Sequence, residues 1–245
     1  MRLTMVAAGA VAALACQSMP ADAQTEVLNF SNWNYVEGPA PFLMVDGQKR
    51  SIDILGFSVR MTGSSALAHA ESFFKNNDYV LRTNTRKIEC TGNTMIGTSS
   101  PYMSEIQGRK RNNDFTEEVN ISLATPIHGN QITFLKREIV YNNQDTRPSY
   151  QTVVKSLIDK YGPTNLQASI MEWRTEGAHL IVRLYGVPEG ALSTMNMELR
   201  GTDGKRPSDE MFFVLARKQV CDKVRAIEKQ RIDEINAKGT NAPKL

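Results

Sequence analysis

Residues 118–141 read EVNISLATPIHGNQITFLKREIVY, and the expected architecture follows from their pattern. In Glu118–Ala124, valine, isoleucine and leucine alternate with polar residues, which is typical of a half-buried β-strand. Pro126–Asn130 contains residue types that favour turns, and Gln131–Tyr141 returns as a second extended segment. Because two strands joined by so short a connection run antiparallel, the stretch predicts a β-hairpin.

Helix patterns lie on both sides of this hairpin. Thr62 and Ser64 can each cap a helix, and the residues that follow them place apolar side chains at helical spacing. Tyr150–Tyr161 repeats the pattern and is followed by a Gly-Pro pair, a common way for helices to end. Val220–Ala237 is predicted to be a third helix, with a glycine two positions beyond it.

Other segments are predicted to be strands from alternation or from a short apolar run between turn residues. They are Phe42–Val45, Ser51–Val59, Tyr79–Arg82, Ser169–Arg174, His179–Tyr185, Met195–Leu199 and Met211–Ala216, the last two paired around Asp203-Gly204. Contiguous strands linked by hairpins predict an α+β fold, with antiparallel sheet and helices packed on one side. A helix followed by antiparallel strands occurs at 64–90 and at 149–216, which indicates two related units and a C-terminal helix.

The predicted organisation divides the chain where its composition changes. The parts are a signal peptide (1–23), an irregular lead-in (24–50), a first helix-plus-sheet unit (51–142), a second unit with the C-terminal helix (143–239) and a disordered tail (240–245). Length alone allows either one large domain or two small ones.

The first residues have the pattern of a secretory signal peptide. Arg2 precedes an apolar run that is too short to cross a bilayer, and small residues at positions 21 and 23 favour cleavage between Ala23 and Gln24. The alternative is processing before Cys16, which would leave a lipoprotein anchored at that residue. Either alternative predicts an exported protein, periplasmic or secreted, with no transmembrane segment after removal of the signal.

Cleavage after Ala23 leaves Cys90 and Cys221 as the remaining thiols. A lone pair of cysteines in an oxidising compartment predicts one disulfide, and the alternative is two buried free thiols. The net charge of +3 is mild and predicts no nucleic-acid partner.

The sequence contains no recognisable catalytic or metal-binding motif. The histidines His69, His128 and His179 lack ligand-like spacing, so neither a metal nor a cofactor is predicted. Ser72 and Lys75 match the S-x-x-K pattern of serine acylases, but the companion K-T-G motif is missing. The sequence therefore predicts no catalytic residues and no enzyme.

Two surface features have both a functional and a structural interpretation. The basic run Gly108–Asn113 could contact acidic lipid headgroups or an envelope polyanion, or could be a solvated loop. Trp33, Tyr35 and Phe42 could form an exposed binding segment or cover the sheet. Trp173 is predicted to pack in the core or across strands.

Two short stretches carry a resemblance to known families. Ile54–Thr62 (ILGFSVRMT) resembles the opening of SmpA/OmlA-like outer-membrane assembly lipoproteins and of β-lactamase-inhibitor-like modules, although Arg60 stands where those motifs usually have glycine. Leu157–Pro163 (LIDKYGP) resembles a helix end in exported bacterial proteins with no assigned function. The resemblance implies a helix-on-sheet interaction module and transfers no catalytic residue.

The expected function is therefore that of an exported, non-enzymatic module that binds an unidentified protein or envelope component. Two alternatives stay open at this point. One is inhibition of a secreted or periplasmic enzyme. The other is a hydrolase whose catalytic residues are dispersed along the chain.

Overall fold

The computed structural model describes residues 24–28, 41–164, 167, 169–187, 189–202 and 209–239. These residues contain twelve β-strands and three α-helices. The helices are α1 (Gly63–Asn76), α2 (Tyr150–Tyr161) and α3 (Asp209–Gly239). The strands are β1 (Gln24–Leu28), β2 (Phe42–Val45), β3 (Gln48–Ser51), β4 (Val80–Arg86), β5 (Glu89–Thr91), β6 (Met95–Ser99), β7 (Tyr102–Arg111), β8 (Phe115–Leu123), β9 (Ile132–Tyr141), β10 (Ile170–Thr175), β11 (Gly177–Gly186) and β12 (Leu192–Thr202).

The largest element is a seven-stranded sheet with the order β10-β11-β12-β9-β8-β7-β4, antiparallel throughout. The predicted hairpin forms its centre as β8 and β9, with Ile121 opposite Leu135. β12 pairs with β9, so strands from both predicted units belong to one continuous sheet. The predicted α+β class is confirmed.

Helices α1 and α2 cover one face of this sheet. Their inward residues, such as Phe74 on α1 and Leu157 on α2, join the alternate apolar residues of the strands in one buried cluster. Packing beneath α1 is close, because a Cβ on Gly108 of β7 would lie 2.4 Å from the Phe74 ring. The predicted cap is present, with the Thr62 hydroxyl accepting from the Ser65 amide at 3.3 Å. Ser149 caps α2 in the same way.

A second, smaller layer consists of α3 and the sheet β1-β6-β5, in which β1 runs parallel to β6. Ala216, Val220 and Val224 of α3 pack against residues such as Ile88 and Met95. The Cys90–Cys221 disulfide joins β5 to α3, with the two Cα atoms 5.2 Å apart. The predicted disulfide is therefore present, and it fastens the C-terminal helix to the small sheet.

A buried carboxylate reinforces the same junction. Glu228 of α3 is 6% exposed, and its Oε1 accepts from the backbone amide of Thr94 at 2.7 Å and from the Thr94 hydroxyl at 3.1 Å. The backbone amides of Asn93 and Met95 also face this carboxylate. These hydrogen bonds, the backbone amide of Thr94 first among them, hold the pKa of Glu228 below its ordinary value of 4.5. The carboxylate thus accepts hydrogen bonds from the backbone amides of the turn between β5 and β6.

We expect Glu228→Gln to lower the free energy of unfolding at neutral pH by about 1–3 kcal/mol, because a charged acceptor of several hydrogen bonds is lost. Since the folded-state pKa is depressed, this contribution is present above pH 4.5 and disappears as the pH falls through the folded-state value. Urea unfolding at pH 7 and in acid measures both. The difference in the free energy of unfolding between wild type and variant should be smaller in acid than at pH 7. A difference that is the same at both pH values contradicts the prediction. Glu71→Gln, on the exposed side of α1, is the control.

The predicted strand Met211–Ala216 is wrong, because these residues belong to α3. A short apolar run fits a buried strand or a buried helix equally well. The helical alternative holds because Ala216, Val220 and Val224 recur every four residues and form one buried stripe. The predicted turn at Asp203-Gly204 lies outside the described residues.

The predicted strand Ser51–Val59 is also wrong beyond its first residue. Leu55 and Gly56 have φ angles of 57° and 83°, so the chain reverses between Ile54 and Phe57. The Asp53 carboxylate accepts from the Gly56 amide at 2.9 Å and stabilises the turn. The predicted lead-in at 24–50 is less irregular than expected, since it contains β1, β2 and most of β3.

Arg60 is the residue at which Ile54–Thr62 departs from the motif that it resembles. Its φ angle is 74°, in the left-handed region that glycine adopts without strain. Its guanidinium lies against Gly177, where an added Cβ would be 2.7 Å from Nη2. The resemblance stays a prediction, and the position has the backbone conformation that favours the usual glycine.

Candidate functional site

The face of the seven-stranded sheet opposite α1 and α2 is polar, and we call its half-buried and exposed part the open face. Its residues on strands β11 to β7 are Arg183 and Tyr185 of β11, Thr194, Asn196, Glu198 and Arg200 of β12, Phe134, Lys136, Glu138 and Val140 of β9, Thr116, Glu118, Asn120 and Ser122 of β8, and Glu105, Gln107 and Arg109 of β7. Side chains alternate between faces along a strand, so these polar positions follow from the same pattern that forms the core. Among the described helices, α1 and α2 pack on the opposite face, and α3 packs on the small sheet with its first turns at one corner of the open face.

A cluster of charged side chains holds one end of the open face in place. Arg183 of β11 donates from Nη1 to Oε1 of Glu198 at 2.9 Å, and Arg200 donates to Oε2 of the same carboxylate. The Arg200 guanidinium also lies 5.6 Å from the centre of the Phe134 ring. Burial alone would raise the pKa of Glu198, but the hydrogen bond from Arg200 and the charge of Arg183 outweigh it and lower the pKa. The carboxylate is therefore charged and fixed between two arginines.

Two polar atoms in this cluster carry a cost. Among the described residues, Asn196 Oδ1 and Arg200 Nε are buried without a hydrogen-bond partner. A buried polar atom left unpaired typically costs about 1–3 kcal/mol. Folds keep such costs mainly where a residue serves something other than stability. The cluster is thus the part of the open face least explained by folding alone.

The rest of the open face carries charges of both signs. Lys136 pairs with Glu138 at 3.0 Å, and Arg109 pairs with Glu118 at 3.1 Å. These pairs are partly exposed and contribute little to stability. A surface of mixed sign with ordered side chains is typical of contacts with a folded protein, in which polar groups set orientation and specificity.

His179 of β11 lies next to the open face but is buried, with 6% of its surface exposed. Its Nε2 is 3.3 Å from Arg174 Nε and 3.3 Å from Glu172 Oε2. Arg174 also donates to Glu172 at 2.9 Å, and this hydrogen bond is the main reason that the pKa of Glu172 is lowered. His179 is therefore a buried, hydrogen-bonded strand residue.

The other two histidines have structural partners. His69 contacts the Leu55 carbonyl through Nε2 at 2.9 Å and stacks on Phe73. His128 lies 3.0 Å from the Thr125 hydroxyl, and burial lowers its pKa. In the described part of the chain, no three histidine, cysteine or carboxylate side chains converge as metal ligands.

The S-x-x-K residues Ser72 and Lys75 lie on the exposed side of α1. The histidine nearest to them in the chain, His69, is engaged with the Leu55 carbonyl and not with Ser72.

The basic run 108–113 begins inside β7 and is not simply a loop. Gly108 is buried beneath Phe74, Arg109 pairs with Glu118, and Lys110 lies 5.8 Å from the Tyr79 ring centre. The charges of this run are thus largely engaged with the protein itself.

The predicted aromatic positions have different outcomes. Trp33 and Tyr35 lie outside the described residues. Phe42 of β2 is 43% exposed, beneath the Lys49 ammonium. Trp173 is buried and donates from Nε1 to the Gly162 carbonyl at 3.0 Å, so its predicted core role is confirmed.

A buried ion pair on the helix-covered face escaped sequence reasoning. Arg137 of β9 donates from Nε to Glu117 Oε1 at 2.7 Å, and the Glu117 side chain is 5% exposed. Tyr79 hydrogen-bonds to the same carboxylate. The pKa of the Tyr79 hydroxyl is raised, mainly because the group is partly buried. The alternation contained the signal, because Glu117 is in phase with Val119 and Arg137 is in phase with Leu135.

Comparison of the chain with protein-family models, with curated proteins and with solved structures finds no match. None of the described helices combines the length and the apolar character needed to cross a membrane.

Proposed function

We propose that this chain is an exported, non-enzymatic interaction module whose open face binds a folded protein. The observation that carries the proposal is the cluster of Arg183, Glu198 and Arg200, a half-buried and ion-paired group with two unpartnered polar atoms beside it. Side chains already held in one arrangement lose little entropy when a partner docks, which favours binding.

The charge of the cluster indicates the chemistry of the partner. Two guanidinium groups flank one carboxylate, so this end of the open face has an excess of positive charge. A partner with a flat polar patch that is acidic opposite Arg183 and Arg200 complements it. Inhibition of a secreted enzyme is a special case of the same proposal, in which the bound protein is an enzyme.

Export rests on two features. The first 23 residues have the pattern of a signal peptide, and the disulfide is of the kind that persists in oxidising compartments. The partner is accordingly expected among envelope or secreted proteins.

Site-specific photo-crosslinking in the native cells tests the proposal. A photo-reactive residue at Asn120, in the middle of the open face, should capture one discrete protein. The same residue at Lys155, exposed on α2, is the matched control and should not capture that protein. Lys136→Glu should weaken the capture at Asn120 several-fold, because reversing an interface charge slows association, whereas Lys155→Glu should leave it unchanged.

Equal capture from both positions, or only abundant bystanders at Asn120, contradicts the proposal. If the captured protein is an enzyme, its rate in the presence of the purified chain decides whether the interaction is inhibitory.

A further inference from the structure

A cleft of about 410 Å³ lies at one corner of the open face, where β4, β7 and β8 meet the first turns of α3. Its lining includes Asn84, Arg86, Ser104, Glu105, Ser122 and Phe213. The volume falls in the range of about 300–1,000 Å³ that is usual for small-ligand sites. The cleft is separate from the cluster around Glu198.

Two irregularities in the strands lie in the wall of this cleft. The β4–β7 register shifts between Asn84 and Thr85, and the β8–β9 register shifts between Ser122 and Leu123. Such bulges bend a strand and redirect its side chains, and they occur often beside functional sites. Here they turn polar side chains toward the cleft at a corner where the sheet pattern would otherwise continue.

The polar groups of the cleft are held in defined positions. Asn84 donates from Nδ2 to Glu105 Oε2 at 2.7 Å, and the Ser104 hydroxyl donates to the Asn84 carbonyl at 3.2 Å. Across the cleft, the Arg86 guanidinium lies 5.9 Å from the centre of the Phe213 ring. The cleft thus combines fixed donors and acceptors with one aromatic surface.

The charges of the described residues at this site balance. Among the described residues that line the cleft, Arg86 and Glu105 are charged, one of each sign. A strongly anionic ligand would meet the Glu105 carboxylate, and a strongly cationic one would meet Arg86. A neutral ligand rich in hydroxyl groups avoids both conflicts and can pair with hydroxyl, amide and carboxylate groups, because each hydroxyl donates and accepts.

We propose that this cleft binds a neutral oligosaccharide, with an apolar sugar face against Phe213 and hydroxyl groups paired with Asn84, Glu105 and the neighbouring serines. Sugars present a C–H face to aromatic rings and hydroxyl groups at their rim, which matches the two kinds of surface in the cleft. Glu105 and Ser122 belong both to the cleft and to the open face. The sugar proposal is nevertheless independent of the protein partner, because the partner proposal is carried by the cluster of Arg183, Glu198 and Arg200, none of which lines the cleft.

Titration calorimetry on the full chain as recovered from cells tests the proposal, with chitotriose, maltotriose and cellotriose as neutral probes. At least one should bind with a dissociation constant in the micromolar to millimolar range. Backbone amide shifts in the ¹H–¹⁵N spectrum should cluster at 84–86, 104–105 and 122. Phe213→Ala and Glu105→Gln should each weaken that binding about tenfold or more.

Phe42→Ala and Glu71→Gln remove a partly exposed ring and a carboxylate elsewhere, and should leave the affinity unchanged. Thermal unfolding of each variant separates loss of binding from loss of fold. If Phe213→Ala proves unstable, the affinity of the Glu105→Gln variant alone tests the proposal. Absence of binding by all three probes, binding that Glu105→Gln leaves intact, or binding only of charged sugars such as trigalacturonate overturns the proposal.

Discussion

Replacing Cys90 and Cys221 together by alanine is expected to lower the free energy of unfolding by about 4–5 kcal/mol. The bond spans 131 residues, and a cross-link over so long a loop removes much conformational freedom from the unfolded chain. The other described anchors of α3 are the small core around Ala216, Val220 and Val224, the Glu228–Thr94 hydrogen bonds and the exposed Arg231–Glu26 pair. The disulfide is therefore expected to be the largest single stabilising element of the α3 layer.

Urea unfolding of wild type and the double variant measures this effect, and hydrogen exchange locates it. Protection should fall first in α3 and in β5 and β6, while the seven-stranded sheet keeps its protection until global unfolding. Reduction of wild type should reproduce the variant's stability. If the free energy of unfolding falls by less than about 1 kcal/mol, the prediction is wrong, because removing the cross-link then gives the unfolded chain little additional conformational entropy.

Breaking the buried pair of Glu117 and Arg137 is the second large effect. Arg137→Met leaves the Glu117 carboxylate, 5% exposed, without its cation, and is expected to cost about 3–5 kcal/mol in the free energy of unfolding. Glu117→Gln should cost less, because glutamine keeps a polar group for Tyr79 and leaves Arg137 21% exposed to solvent. The variant that combines Arg137→Met with Glu117→Gln should lose less free energy of unfolding than the sum of the two single losses, because neither charge is then left buried without its partner.

A neighbouring pair supplies the matched control. Arg109 and Glu118 lie on the opposite, open face with side chains 60% and 45% exposed. Arg109→Met should change the free energy of unfolding by no more than about 1 kcal/mol, because solvent screens exposed charges. Chemical unfolding of all variants in one buffer makes the comparison. Equal costs for Arg137→Met and Arg109→Met would contradict the view that burial decides the effect.

Local patterns were sufficient for the hairpin and the first two helices. The alternation in 118–124, the cap at Thr62 and the Gly162-Pro163 pair after Tyr161 act within a few residues, so their outcome could be predicted without knowing the remainder of the chain. The disulfide was predictable by elimination, because the predicted cleavage after Ala23 would leave Cys90 and Cys221 as the remaining cysteines. These features depend on residues counted or patterned along the chain.

Prediction failed where a segment had two locally acceptable structures. Met211–Ala216 is apolar enough for a strand, and it is helical because the stripe that continues through Val224 packs on the small sheet. Ser51–Val59 alternates like a strand, yet it reverses at Leu55 because Asp53 and Gly56 stabilise a turn there. The first choice depends on contacts outside the segment, whereas the second depends on a local turn whose residues lie within the segment.

The sequence by itself determined the fold class, the central hairpin, the helices α1 and α2 and the identity of the disulfide partners, because each depends on local periodicity, capping or composition. Only the tertiary structure decided that both units share one sheet, that Glu117 meets Arg137, and that Asn84, Glu105 and Phe213 line one cleft. Such juxtapositions depend on strand order, register and bulges. Those are set by the packing of the whole chain, so no short stretch of sequence specifies them.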